Sequence, residues 1–126
     1  MEFDDVVKAR KSCRRFKTKK PSYRDIIGAI NWAGKIPYAG NIHNIKFILV
    51  DDVEVLDRLN KFCQQDVCAK VYYVVVVVSD PEELVKSYDE RGKKYLMEQG
   101  GVAVNQLLLK LVDVGLDGCW IGSFDD

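Results

Sequence analysis

Gln99-Gly100-Gly101-Val102-Ala103-Val104-Asn105-Gln106-Leu107-Leu108-Leu109-Lys110-Leu111-Val112-Asp113-Val114-Gly115-Leu116 is the stretch on which the fold turns. At helical spacing Gln99, Gln106, Lys110 and Asp113 share one narrow stripe, and nearly every other position is apolar. A helix that is greasy on almost every side must be covered on almost every side. It is therefore central to its own domain, wedged between two subunits, or both. Gly115 stands where a left-handed residue closes such a helix. In the run Gly118-Cys119-Trp120-Ile121-Gly122-Ser123-Phe124 that follows, Trp120 to Phe124 reads as a short strand.

Upstream, helices and strands alternate. Glu2 to Ala9 is a short amphipathic helix with Glu2, Asp4 and Asp5 at its favourable end. Ser22, with Asp25 three residues on, opens a second helix that fades near Gly34. Lys35 to Asn44 is a loop. Ile45 to Val50 is a strand without clear alternation, as expected when both faces are buried. Val53 to Cys63 is a helix, Val71 to Val78 a strand, and Asp80-Pro81-Glu82-Glu83 the start of another helix. Ser87 to Tyr95 is charged and reads as a mobile surface segment. Covered strands separated by helices give a layered α/β or α+β domain.

The 126 residues form a single domain, 1-126, able to bury roughly two-thirds of the unfolded surface. Lys and Arg balance Asp and Glu at 19 each, so no overall field draws nucleic acid or an anionic membrane. No apolar run approaches the roughly 20 residues that span a bilayer. Cys13, Cys63, Cys68 and Cys119 lack a signal peptide and a CxxC pair, so they read as reduced thiols of a cytoplasmic protein.

Three clusters carry potential chemistry. From Lys8 to Lys20 the chain holds Lys8, Arg10, Lys11, Arg14, Arg15, Lys17, Lys19 and Lys20 with no acid among them. Within it, Arg10-Lys11-Ser12-x-Arg14 offers guanidinium groups and a hydroxyl suited to phosphate. A helix C-terminus is electrically wrong for an anion, so if phosphate binds here the side chains must carry the charge and the backbone should already have left the helix. The loop Pro37-Tyr38-Ala39-Gly40-Asn41-Ile42-His43 combines a constrained path with the Asn41 amide, which suits the edge of a heterocycle. Gly118 and Gly122 flank Cys119, Trp120 and Ile121, where a flat ligand can approach the backbone. Taken one at a time, these are equally a solvated basic face, an ordinary connection and a core strand.

Taken together and in this order, R-x-S-x-R, P-x-x-x-N and G-L-x-G-C-W-I-G-x-F resemble the FMN-dependent nitroreductase family over nearly the whole chain. The resemblance implies an α+β fold, a nitroreductase-like layered α/β/α sandwich with a central mixed sheet and a long buried helix that forms the dimer. It implies FMN at the interface of a homodimer, and NADH or NADPH as electron donor. It also implies a nitroaromatic, quinone or related small-molecule electron acceptor reduced by ping-pong hydride transfer, with no catalytic side chain and no metal. Arg10, Lys11 and Ser12 match the phosphate-binding positions, and Arg14 the basic residue near the ribityl chain and pyrimidine. Pro37, Tyr38, Ala39 and Asn41 match a loop that the second subunit lays against the flavin, and Gly118, Cys119, Trp120, Ile121 and Gly122 the segment beside its ring. Family members often carry Ser-Ser in place of Tyr38-Ala39 and Gln in place of His43, and usually continue several tens of residues further. The expectation is therefore a domain lacking the usual C-terminal arm.

Four other readings compete with this one. One is a non-catalytic flavin-binding or storage protein of the same fold. Phe47-Ile48-Leu49-Val50-Asp51-Asp52 looks like the acidic strand of a receiver domain, but Ser79-Asp80-Pro81 is a poor phosphoacceptor match. A nucleotide-binding module would want a Gly-rich turn where Asp51-Asp52-Val53-Glu54 stands. Cys63-x4-Cys68 has no second pair for zinc.

Overall fold

The computed structural model describes residues 1–64 and 66–125, without the side chains of Cys68 and Ala69. Five helices are described: α1 (Phe3–Ala9), α2 (Tyr23–Ala33), α3 (Val53–Phe62), α4 (Glu82–Tyr88) and α5 (Glu90–Asp113). They accompany two strands, β1 (Ile45–Val50) and β2 (Val74–Ser79), and 3-10 turns at Ala39–Asn41 and Asp66–Lys70. The strands pair antiparallel, with Ile45 opposite Ser79 and Val50 opposite Val74. α2 and α5 pack together over this sheet, where Ala29, Ala33 and Leu107 are buried against Ile30, Phe47, Val75 and Leu111. The result is the expected α+β architecture.

Caps follow their local chemistry. Ser22 accepts from the Arg24 N–H at 3.3 Å and opens α2; Asp52 accepts from the Val55 N–H at 3.1 Å and opens α3. Asp52 is thus a helix cap, which accounts for the acidic pair that mimics a receiver strand. α5 closes through Gly115 at φ 86°, with Leu116 N–H donating to the Leu111 carbonyl at 2.8 Å and Gly115 N–H to that of Val112 at 3.0 Å.

The structure corrects four expectations. First, Ser87 to Tyr95 is helical on both sides of a corner. α4 runs to Tyr88, Asp89 turns at φ 52°, and α5 begins at Glu90. Glu90, Arg91, Lys93 and Lys94 are good helix formers, and the first turn of α5 carries the Glu90–Lys93 pair at 3.1 Å. The corner is tight because Gly92 has no side chain: a Cβ there would lie 2.3 Å from the Leu84 carbonyl oxygen.

Second, β1 alternates. Ile45, Phe47 and Leu49 are half-buried while Lys46 and Ile48 are exposed, because α2 and α5 cover one face of the sheet. Third, β2 starts at Val74, not Val71. Tyr72 instead donates its hydroxyl to the Thr18 carbonyl at 2.5 Å, and the Lys20 ammonium lies 5.5 Å from the centre of the Tyr73 ring.

Fourth, Gly118 to Phe124 forms no regular strand. It is held at its two ends by isolated bridges, parallel from Ser12 to Gly118 and antiparallel from Cys63 to Phe124. Its middle meets a groove, where no ladder partner lies among the described residues. The sheet itself is two-stranded and antiparallel among the described residues, and the parallel contact of Ser12 with Gly118 lies outside it.

α5 itself is covered on one side. Ala103, Leu107 and Val112 are buried, whereas Val104, Leu108, Leu109 and Leu111 are half-buried and Val102 is 44% exposed. Among the described residues no helix is long and apolar enough to cross a membrane.

Candidate functional site

The basic cluster lies where α1 has already ended. Arg10 is extended at φ −61° and ψ 125°, so its side chain and those that follow leave the helix axis and its unfavourable C-terminal dipole. The next residues run beside Gly118: Ser12 bridges it in parallel, and the Cys13 N–H donates to the Gly118 carbonyl at 3.0 Å. Two clusters that lie some hundred positions apart in the chain are therefore neighbours. Arg10 is half-buried, and Lys11, Ser12 and Arg14 are exposed.

Beside this junction opens a groove of about 1860 Å³. Its lining includes Val74 to Val77 of β2, Val104, Leu108 and Leu111 of α5, and Gly118 to Ile121. Extended backbone sends alternate side chains to opposite faces, and here Lys11, Cys13 and Arg15 border the groove. Arg10, Ser12 and Arg14 lie off it, as do all of Pro37 to His43 and Gly122. Trp120, 53% exposed, also borders a shallower hollow of about 540 Å³ with Met97, Val102 and Leu109 of α5.

The loop is built quite differently. Its shape is set by Gly40 and Asn41, both left-handed at φ 58° and 56°, inside the Ala39–Asn41 turn. The Ala39 N–H donates to Gln99 Oε1 at 2.6 Å, and Gln99 Nε2 donates to Asn44 Oδ1 at 2.6 Å. Gln99 and Asn44 are both buried, so these bonds form in a low-dielectric setting where they are strong and costly to lose. The Tyr38 hydroxyl donates to the Gly34 carbonyl at 3.0 Å, and burial raises its pKa. Tyr38 stacks on His43 with ring centres 4.3 Å apart, and His43 Nε2 lies 2.9 Å from Asn41 Oδ1. Tyr88 crowds the turn from below: a Cβ on Gly40 would lie 2.6 Å from its hydroxyl.

Sequence reasoning missed Gln99, Asn44 and Tyr88 as the supports of this loop. The signal for Gln99 was its place on the polar stripe of α5. Each member of that stripe has a partner: Gln106 Nε2 donates to the Trp32 and Lys35 carbonyls at 2.7 and 2.9 Å, and Lys110 lies 2.5 Å from Asp113. Asp113 also receives the chain's amino terminus at 3.1 Å, and its bonds to Lys110 and that terminus hold its pKa below the usual aspartate value.

The four cysteines divide. Cys13 and Cys119 flank the Ser12–Gly118 bridge, Cys63 pairs by backbone with Phe124, and the side chain of Cys68 lies outside the described residues. Among the described residues no three His, Cys, Asp or Glu side chains gather as a metal site.

Against this geometry the comparisons with known proteins are consistent. The Nitroreductase family pattern matches residues 7–71 and 61–126. The chain is 26% identical to an iodotyrosine deiodinase of Thermotoga neapolitana, over 89% of this chain and 69% of that protein. The crystal structure of a nitroreductase family protein from Clostridium novyi NT superposes with a TM-score of 0.89 at 26% identity, covering 100% of this chain and 72% of that one. A BluB-like flavoprotein from Clostridium difficile 630 shares the fold, with a TM-score of 0.81 at 21% identity over 98% and 75% of the two chains.

Proposed function

The chain belongs to the nitroreductase family and is an oxidoreductase, and on that premise we propose that it uses FMN to pass reducing equivalents from NADH or NADPH to an electrophilic aromatic or quinone acceptor. The observation that carries the reading is the Ser12–Gly118 bridge, which sets a cationic, hydroxyl-bearing strand beside a glycine-flanked segment. The donor set fits the cofactor. Arg10, Lys11 and Ser12 supply two cations and a hydroxyl with no acid between Lys8 and Lys20, a composition matched to a phosphate dianion. When bound, FMN would supply the hydride-accepting and electron-donating chemistry.

The remaining roles belong to this chain's residues. Arg14 brings positive charge to the same segment and would stabilise the negative charge that develops on a bound flavin when it is reduced. Gly122, where a Cβ would meet nothing within 4 Å, leaves the backbone after Ile121 open to close approach, whereas Gly118 lets the segment lie against Leu108 of α5. The loop Pro37 to His43 sits apart from the groove of its own chain, and in our reading it closes over the cofactor of a second copy. The half-covered face of α5, with Val102, Leu109 and Trp120, provides the apolar surface for that homodimer in the cytoplasm.

Protein reconstituted with FMN should hold its yellow absorbance through gel filtration and lose it when NADH or NADPH is added without air. Nitroaromatics, quinones and an iodinated tyrosine, the last suggested by the Thermotoga neapolitana relative, should restore it at different rates. Bound flavin that neither nicotinamide bleaches would instead support the binding or storage reading. Failure to retain flavin at all would remove both.

A further inference from the structure

We propose that Cys13 and Cys119 are a thiol pair that closes into a reversible disulfide, fastening the basic strand to the Gly118–Gly122 segment. The register points to it. Ser12 and Gly118 are opposed in an isolated parallel bridge, and that register carried one residue further sets Cys13 against Cys119. Adjacent strands are about 4.8 Å apart, inside the roughly 4.4–6.8 Å window of Cα separations that a disulfide spans. In a parallel register the residues that follow an opposed pair also share a face, and both cysteines border the same groove.

Neither thiol is committed elsewhere in the fold. Cys13 Sγ donates weakly to the Arg15 carbonyl at 3.2 Å, and Cys119 Sγ lies 3.9 Å from the Trp120 carbonyl, each within its own segment. Both are half-buried reduced thiols, reachable by a small oxidant.

The oxidant is a low-molecular-weight disulfide such as oxidised glutathione. One cysteine thiolate attacks a glutathione sulfur, forming a mixed disulfide and expelling one glutathione thiolate. The second cysteine thiolate then attacks the protein sulfur of that mixed disulfide and expels the other glutathione. Two protein thiols become one disulfide, two glutathione thiols are released, and the two thiol protons end on them. The bond would close a loop from Cys13 to Cys119 over most of the chain, where constraint of the unfolded state is large. It stands independently of the flavin reading, because its test scores sulfur connectivity and not colour or turnover.

The folded protein is incubated with oxidised glutathione, its remaining thiols are alkylated in denaturant, and the digest is mapped by mass spectrometry. The expected product is a peptide pair joined through Cys13 and Cys119, reversed by dithiothreitol, with a thermal midpoint raised by roughly 10 °C. The same treatment of unfolded protein should scatter cross-links over all four cysteines. In Cys13→Ser, Cys119 should stop at the mixed glutathione disulfide, and Cys119→Ser should trap Cys13 in the same way. Native cross-links running mainly through Cys63 or Cys68, unresolved glutathione adducts on both Cys13 and Cys119, or an unchanged thermal midpoint would overturn the proposal. The wild-type map decides the matter even if a variant fails to fold.

Discussion

The loop Pro37 to His43 and the paired segments Arg10 to Arg14 and Gly118 to Gly122 carry the same proposed ligand, yet they are held in opposite ways. The loop is over-determined. Its backbone is pinned by a buried glutamine, its tyrosine is bonded and stacked, and its histidine and asparagine are in contact with each other. The paired segments meet through backbone alone, and the side chains of Lys11, Ser12 and Arg14 stand in solvent. One region is a rigid template whose polar groups are used up in making its shape. The other is a set of donors left unspent. A substitution in the first should therefore damage the fold, and one in the second should damage binding.

The largest effect is expected at Gln99. Gln99→Leu keeps the volume but leaves the Ala39 N–H and Asn44 Oδ1 without their partner, at about 1–3 kcal/mol for each orphaned group. Unfolding free energy should fall by about 3 kcal/mol, a drop of roughly 10–15 °C in the thermal midpoint. A midpoint within about 2 °C of wild type would mean that the loop is held by something other than this network.

Next comes the opposite side of the comparison. Arg10→Ala combined with Ser12→Ala removes charge-assisted donors that contribute about 1.5–3 kcal/mol to a phosphate, so FMN affinity should weaken by roughly 10- to 100-fold. Stability without flavin should change by less than about 0.5 kcal/mol, as befits exposed or half-buried side chains whose bonds lie outside the fold. Titration of flavin fluorescence and a denaturation curve on the same sample separate the two. A loss of stability with unchanged affinity would invert the comparison.

A smaller change tests the loop one bond at a time. Tyr38→Phe keeps the stacking on His43 but leaves the Gly34 carbonyl without its donor, and should cost about 1 kcal/mol in denaturant unfolding. A null effect would place the rigidity in Gln99 and the left-handed turn alone.

This contrast also explains what could be read from the chain before its structure. The caps Ser22 and Gly115, the helix α3 and the order of elements follow from chemistry local to a few residues. So does the departure of Arg10 from the helix. The motif order carried the family because each piece is a short run legible by itself, between the helices and strands and not on them. What stayed hidden were contacts between distant positions: Gln99 reaching the loop, Ser12 meeting Gly118, and Gly92 admitting the α4–α5 corner. Charge made Ser87 to Tyr95 resemble a loose surface, although Glu90, Arg91, Lys93 and Lys94 favour helix. The eight apolar and aromatic residues from Val71 to Val78 placed β2 in the right region but not its start, since Tyr72 and Tyr73 suit a strand as well as valine does.

The smallest expected effect lies at the far end of the same polar stripe, and it carries a sign. Asp113, about one-quarter exposed, joins Lys110 and the amino terminus, and these bonds depress its pKa in the folded chain. A carboxylate with a depressed folded pKa stabilises the fold fully above its unfolded pKa, and that contribution is lost as pH falls through the folded value. Asp113→Asn cannot titrate. Wild type should therefore be the more stable of the two at neutral pH, and their stabilities should converge as pH drops below the ordinary aspartate value. Denaturation midpoints measured from neutral pH into that acid range check this. Parallel curves would mean that the pair contributes nothing pH-dependent, and would leave the hydrogen-bonded reach from Gln99 to Gln106 as the part of the stripe that holds α5 against α2 and the loop.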